Sequence, residues 1–290
     1  MSKKITFIGL GVMGYPMAGH LKKNNNEVIV YNRTRSKSEK WINEYKGTFE
    51  LTPGLASKNS DFIFICVGKD NDLNEVMEGE EGILNNIKQG TIIVDHTTAS
   101  AEIARKYYSI CKKNGFHFLD APVSGGQSGA ENGQLSIMVG GDKDPYDKVK
   151  KTILSYAKAI ELIGESGSGQ LTKMINQICI AGLVQGLSEG LAFGVKSKLN
   201  MEKVLKVISR GAAQSWQMEN RYRTMLDGDF NFGFAVDWMR KDLAICFEEA
   251  KKNKAHLPIT VIVDKFYSQI QNLGGNRWDT SSLISLLNKN

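Results

Sequence analysis

Lys173, Asn176 and Gln177 stand at i, i+3 and i+4, the spacing that puts three side chains on one face of a helix. They lie near the start of a helical pattern that follows Gly167-Ser168-Gly169 and runs to residue 195, with one cation placed early among apolar neighbours. An ammonium group beside two amides is a set that handles an oxyanion and its proton. This face is therefore read as the chemical one. A lysine that merely snorkels along an apolar helix is the plain alternative.

A second set lies at the N-terminus. Residues 5–9 form an apolar strand and lead at once into Gly9-Leu10-Gly11-Val12-Met13-Gly14, a helix of residues 13–24 and a further strand of residues 27–31. The G-x-G-x-x-G spacing is weak alone but has its required setting here. Gly9 permits a tight turn, Gly11 lets the backbone approach a pyrophosphate, and Gly14 allows close packing of helix on strand. The amides of Leu10, Val12 and Met13 belong to the same turn, where a helix N-terminus attracts an anion. A strand-turn-helix with no ligand is the alternative.

The second strand ends in Tyr31-Asn32-Arg33-Thr34. NAD-binding units usually place an acid here, on the adenosine ribose. Asn32 is neutral, and Arg33, with the hydroxyl of Thr34, suits the 2′-phosphate of NADP(H). NADP(H) is thus favoured and NAD(H) is possible; Arg33 and Arg35 as solvated loop cations are the other reading. Ser36-Lys37-Ser38-Glu39 reads as a capping box.

These residues need a scaffold, and the pattern supplies one. Strands at residues 61–68, 91–98, 117–121, 135–140 and 159–163 alternate with helices, the mark of a mostly parallel sheet covered on both faces. Ligands in such sheets lie at the carboxyl ends of strands, which makes Val67, Gly68 and Thr98 candidates to line the cofactor site. Ser124, Gly125 and Gly126 offer a hydroxyl and two unobstructed amides on one turn, a cradle for a small carboxylate or else a flexible connector. Asp144-Pro145 reads as a helix start, and Thr52, Asn200, Ser215 and Thr280 read as N-caps. Beyond residue 164 the candidate elements are helices, the last at residues 281–287. In the helix of residues 236–252, Lys241 is a second cation to explain. The chain divides into a dinucleotide-binding domain, residues 1–164, and an all-helical domain, residues 165–290, begun by the long helix that contributes Lys173.

Composition fits an enzyme of anionic small molecules. The chain has 290 residues, 41% of them hydrophobic, with 37 basic and 31 acidic residues and a net charge of +6. The charges intermingle, and basic clusters with interleaved aromatics are missing, so nucleic acid is not an expected partner. No apolar run reaches the ~18 residues of a membrane span, which points to a cytoplasmic protein without a membrane partner. The four cysteines have no C-x-x-C spacing and read as reduced core thiols. The four histidines form no H-x-x-x-H pair, so no metal is expected.

Taken together, Gly9-Leu10-Gly11-Val12-Met13-Gly14, Asp120-Ala121-Pro122-Val123-Ser124-Gly125-Gly126, Gly167-x-Gly169-x-x-x-Lys173-x-x-Asn176-Gln177 and Lys241-Asp242-Leu243 resemble the four signatures of the β-hydroxyacid dehydrogenase family. That family includes 3-hydroxyisobutyrate dehydrogenases, tartronate semialdehyde reductases and glyoxylate/succinic semialdehyde reductases. The resemblance implies a Rossmann domain, a helical second domain, a nicotinamide cofactor, and a homodimer or homotetramer. It implies that Lys173 is the catalytic acid/base, that Ser124, Gly125 and Gly126 hold substrate, and that Asn176 and Lys241 contact substrate or cofactor, with Gln177 beside them. Thr98 would sit near the nicotinamide. Some members carry Asn four residues after the lysine, where this chain has Gln177. That pair, with residues 133–141, resembles the tartronate semialdehyde branch, while Asn32-Arg33-Thr34 resembles the NADPH-using reductases. A non-catalytic dinucleotide-binding module is the reading of another class; loss of the lysine would favour it, and Lys173 is present.

Overall fold

The computed structural model describes residues 2–287 and divides after Lys173 into two compact units. The first turns of the long helix, with Lys173, group with the sheet-bearing unit.

In the first unit the chain runs β1 (Lys4–Ile8), α1 (Gly14–Lys23), β2 (Glu27–Tyr31), α2 (Arg35–Tyr45), β3 (Thr48–Phe49), α3 (Pro53–Ser57), β4 (Phe62–Ile65), α4 (Asp70–Glu78), β5 (Ile92–Asp95), α5 (Ala101–Lys113) and β6 (His117–Asp120). It continues through β7 (Val123–Ser124), α6 (Gly126–Glu131), β8 (Leu135–Gly140), α7 (Lys143–Ile153) and β9 (Ala157–Gly164) into α8 (Ser168–Lys196). The strand order is β3-β2-β1-β4-β5-β6-β8-β7, with β9 also paired to β8. β1 to β6 pair in parallel, and β8 runs antiparallel to β6 and β7.

The strands read as continuous apolar runs because both faces are covered. Side chains alternate across a strand: Phe62 and Phe64 join Ile5, Phe7 and Val94 in one core, while Ile63 and Ile65 join Ile8, Ile93 and Tyr107 in the other. The order reverses between β1 and β4, the place where doubly wound sheets open a crevice at their carboxyl ends. The Gly9 turn follows β1, Val67 and Gly68 follow β4, and Thr98 follows β5.

The second unit holds the rest of α8 with α9 (Met201–Ile208), α10 (Trp216–Asp227), α11 (Val236–Asn253), α12 (Pro258–Asn272) and a final 3₁₀ helix, Thr280–Leu286. Its core gathers Ala181 and Val184 with Met239, Leu243, Val263 and Tyr267. By length and composition α8 could cross a membrane, with a mean hydropathy of 1.6 over 18 residues, a point missed by counting unbroken apolar runs. Its buried polar residues, Gln170, Lys173, Gln177, Gln185 and Ser188, mark it instead as a core helix.

Several helix starts differ from expectation. Thr52, Asn200 and Ser215 do cap their helices. α2 begins at Arg35 because Thr34 is the last extended residue, which puts Ser36 inside the first turn. α7 begins after Asp142, two residues before Asp144. Asp279 rather than Thr280 caps the final 3₁₀ helix, accepting from the Ser281 amide. All four cysteines are free, and Cys179 is exposed rather than a core thiol.

Candidate active site

The turn after β1 has the backbone that its glycines require. Gly9 sits at φ +96°, and a Cβ there would lie 2.2 Å from the Cys66 carbonyl oxygen; one on Gly14 would lie 2.0 Å from the Gly9 oxygen. Gly11 differs: a Cβ on it would meet nothing within 4 Å. Two glycines are consumed by packing and the third leaves open space at a helix N-terminus, which fits a dinucleotide pyrophosphate. Asn32 braces this turn, its Oδ1 accepting from the Leu10 amide at 2.8 Å while its Nδ2 donates to the Thr34 carbonyl at 3.0 Å. Arg33 is 76% exposed, with Nη1 at 3.4 Å from Asp72 and 3.8 Å from Glu75 on α4. The cation expected to meet a 2′-phosphate therefore already has acidic neighbours, which no local pattern disclosed.

The start of α8 is tied down from two sides. Asp120, at the end of β6, accepts from the Gly167 amide at 2.7 Å and the Gln170 amide at 3.0 Å, satisfying donors that a helix N-terminus leaves without partners. Gln170 uses its own side chain as well: Oε1 accepts from the Ala99 amide at 3.1 Å and Nε2 donates to the Thr97 carbonyl at 2.8 Å. The loop after β5 is held in turn by the Val67 amide, which donates to Thr97 Oγ1 at 3.1 Å. Thr98 lies between the two residues that Gln170 grips, and Lys173, only 7% exposed, lies one turn further along α8. Asp120 and Gln170 are thus functional candidates that sequence reasoning missed, although both fall inside recognised motifs.

Ser124 ends β7, and the glycines after it adopt φ +133° and +63°, values that favour glycine. A Cβ on Gly126 would meet nothing within 4 Å, so its amide is sterically open, as a carboxylate cradle needs.

In the second unit, Asn176 Nδ2 donates to Gln177 Oε1 at 2.8 Å, and Gln177 Nε2 donates to Asp242 Oδ2 at 2.7 Å. Lys241 Nζ lies 2.9 Å from Asp242 Oδ1 and over the Trp238 ring. One buried carboxylate therefore joins three of the predicted residues, Asn176, Gln177 and Lys241. The sequence had flagged the charges of this helix without assigning Asp242 a part.

Burial dominates the electrostatics at the strand ends. It pushes the Asp120 carboxyl up to about 6, against the amides that favour its charged form. It pushes Asp95 up to about 7, with neighbouring Asp120 adding repulsion. The two acids are direct partners across β5 and β6, and Asp95 Oδ2 is buried without a hydrogen bond. Their folded-state values lie above the ordinary ~4, so the folded chain keeps protons that the unfolded chain releases. The stability this provides is present at acid pH and is lost as pH rises towards 7. Asp95→Asn, which stays neutral, should therefore raise the melting temperature more at pH 8 than at pH 5, by a difference worth roughly 1–3 kcal/mol. Parallel melting curves at the two pH values would contradict this.

A doubly wound sheet with a glycine turn at its switch point, followed by helices beginning with a buried lysine, defines a nicotinamide-dinucleotide oxidoreductase. Comparison with known proteins agrees. The NAD binding domain of 6-phosphogluconate dehydrogenase matches residues 4–164, and the NAD-binding domain of NADP-dependent 3-hydroxyisobutyrate dehydrogenase matches residues 167–287. An uncharacterized oxidoreductase of Shewanella frigidimarina is 56% identical over 99% of this chain and 98% of its own length. The 2-hydroxy-3-oxopropionate reductase of Escherichia coli is 33% identical over 98% of this chain and 97% of its own. The 3-hydroxyisobutyrate dehydrogenase of Mycobacterium tuberculosis superposes with a TM-score of 0.89 at 23% identity, over the whole of both chains. The chain belongs to the β-hydroxyacid dehydrogenase family and is an NAD(P)-dependent oxidoreductase of the hydroxyacid dehydrogenase and semialdehyde reductase class. The non-catalytic reading is set aside.

Proposed function

We propose that this chain uses NADP(H) to interconvert a small semialdehyde acid and its β- or γ-hydroxyacid, with Lys173 as the acid/base. The observation that carries the reading is the placement of Lys173: a buried lysine on the turn of α8 that Asp120 and Gln170 tie to the ends of β5 and β6. A bound nicotinamide supplies or accepts the hydride. In the reducing direction Lys173 Nζ stabilises negative charge as it grows on the carbonyl oxygen and then donates its proton there. The hydroxyl of Ser124 and the amides of Gly125 and Gly126 hold the substrate carboxylate. Asn176, Gln177 and Lys241, joined through Asp242, orient the substrate or the cofactor. Exposed apolar residues of the second unit, among them Ile175, Phe193, Val207 and Ile259, support a homodimer or homotetramer.

Turnover of glyoxylate, succinic semialdehyde, tartronate semialdehyde and methylmalonate semialdehyde with NADPH and NADH tests the reading. One of the four should be reduced with a kcat/KM well above the others, and NADPH should be preferred. Inactivity with all of them would refute it.

Arg33 carries the cofactor preference. Hydrogen bonds to charged groups contribute about 1.5–3 kcal/mol each, so Arg33→Ala should raise the KM for NADPH by about tenfold or more and barely alter that for NADH. Equal losses with both cofactors would show that Arg33 does not read the 2′-phosphate. A second reading, NADH-dependent action on tartronate semialdehyde, draws on the Asn176-Gln177 pair and on the relative named 2-hydroxy-3-oxopropionate reductase.

A further inference from the structure

Gln170 makes a contact that helix formation alone does not require. The N-terminus of α8 is already capped, since the Asp120 carboxylate takes the Gly167 and Gln170 amides. The Gln170 side chain, 1% exposed, instead reaches across to the loop after β5 and behaves there like a peptide unit, accepting from Ala99 N–H and donating to the Thr97 carbonyl. Further bonds of that loop run elsewhere. Thr97 N–H donates to Asp95 Oδ1 at 2.9 Å, the Val67 amide donates to Thr97 Oγ1, and the amide and hydroxyl of Ser100 donate to Asp70. Gln170 thus ties a loop anchored on β4, β5 and α4 to the helix that carries Lys173. Lys173 follows it by three residues and shares its face of the helix.

We infer that Gln170 is a positioning residue for the reaction proposed above: its amide fixes the register between residues 97–99 and the helical turn that carries Lys173. The inference rests on the reading of Lys173 as the acid/base. A side chain with one donor and one acceptor at this reach is needed for both bonds. Leucine fills similar space and makes neither. Glutamate accepts from Ala99 but sets a carboxylate against the Thr97 carbonyl while ionised, and protonation restores a donor.

The test is a double-mutant cycle of Gln170→Leu and Lys173→Ala, read as kcat, KM for NADPH and melting temperature, with Gln170→Glu measured across pH. A misplaced reacting group costs up to about 10²-fold, so Gln170→Leu should lower kcat by about 10- to 100-fold with the KM for NADPH nearly unchanged. The double variant should be no slower than Lys173→Ala alone, because a residue that acts through Lys173 has nothing left to lose. Gln170→Glu should recover activity, relative to the wild-type profile, as pH falls; this arm reads the idea even if the leucine variant does not fold. Wild-type kcat in Gln170→Leu while Lys173→Ala has lost turnover would overturn the inference and leave the role of Lys173 standing. Losses that multiply in the double variant would likewise assign Gln170 a purely structural role. If Lys173→Ala itself turned over normally, the parent reading would fail first.

Discussion

Lys173→Ala should reduce turnover by about 10²- to 10⁴-fold, the range expected for loss of a general acid, while the affinity for NADPH stays near that of the wild type. The split follows from where the lysine sits. The dinucleotide turn is built from residues 9–14 and the end of β2, whereas Lys173 lies on α8, beyond the β5 and β6 ends that anchor it. Lys173 is 7% exposed, and charge stabilisation in a poorly hydrated place is worth more than in water. On the proposed reading, replacement by alanine removes the group that meets the growing oxyanion and leaves the binding of the nucleotide alone. Steady-state kcat with the best substrate of the panel, beside a fluorescence titration with NADPH, checks both halves. Wild-type turnover would end the assignment, and a large loss of NADPH affinity would make Lys173 a binding residue instead.

Gly169→Ala should act on the same helix through backbone packing. A Cβ there would lie 2.5 Å from the carbonyl oxygens of Asp120 and Met138 and 2.8 Å from Asp120 Oδ2. None of these is the free end of a flexible side chain: two are backbone atoms of β6 and β8, and the third is engaged in capping α8. One methyl group must therefore push the start of α8 away from the strand ends. Overpacking of this kind costs about 1–3 kcal/mol, equivalent to a fall of roughly 2–12 °C in melting temperature for a chain of this size. Because the displaced turn carries Lys173, kcat should fall by about 10²-fold as well. Thermal melting and kcat measured on one preparation decide the matter. A variant with wild-type stability and turnover would mean that the helix start is not held as tightly as its bonds imply.

The sheet was legible in the sequence because its signals are local. Residues 27–31 and 135–140 alternate or run apolar over one strand length, and Gly9, Gly11 and Gly14 fall between a strand and a helix. The motifs that resemble those of the family also singled out Lys173, Ser124 and Lys241 as candidates. What stayed hidden depends on contacts far apart in the chain. Asp120 reaches amides 47 and 50 residues away, Gln170 reaches backbone groups 71 and 73 residues away, and Arg33 meets Asp72 across 39 residues. No periodicity encodes such pairings. The misplaced helix starts at Ser36 and Asp144 have a smaller cause. Several Ser and Asp residues near a helix start offer equally good caps on paper, and the backbone at Thr34 and Asp142 decides between them.

The most direct test of the account is the pH dependence of a single hydride transfer, followed as loss of NADPH absorbance in wild type and in Lys173→Ala with cofactor already bound. The wild-type rate should fall at alkaline pH as the proton donor is lost, and that limb should vanish in the variant, leaving a slow rate that no longer responds to the donor. The same alkaline limb in both proteins would contradict the assignment of the proton to Lys173.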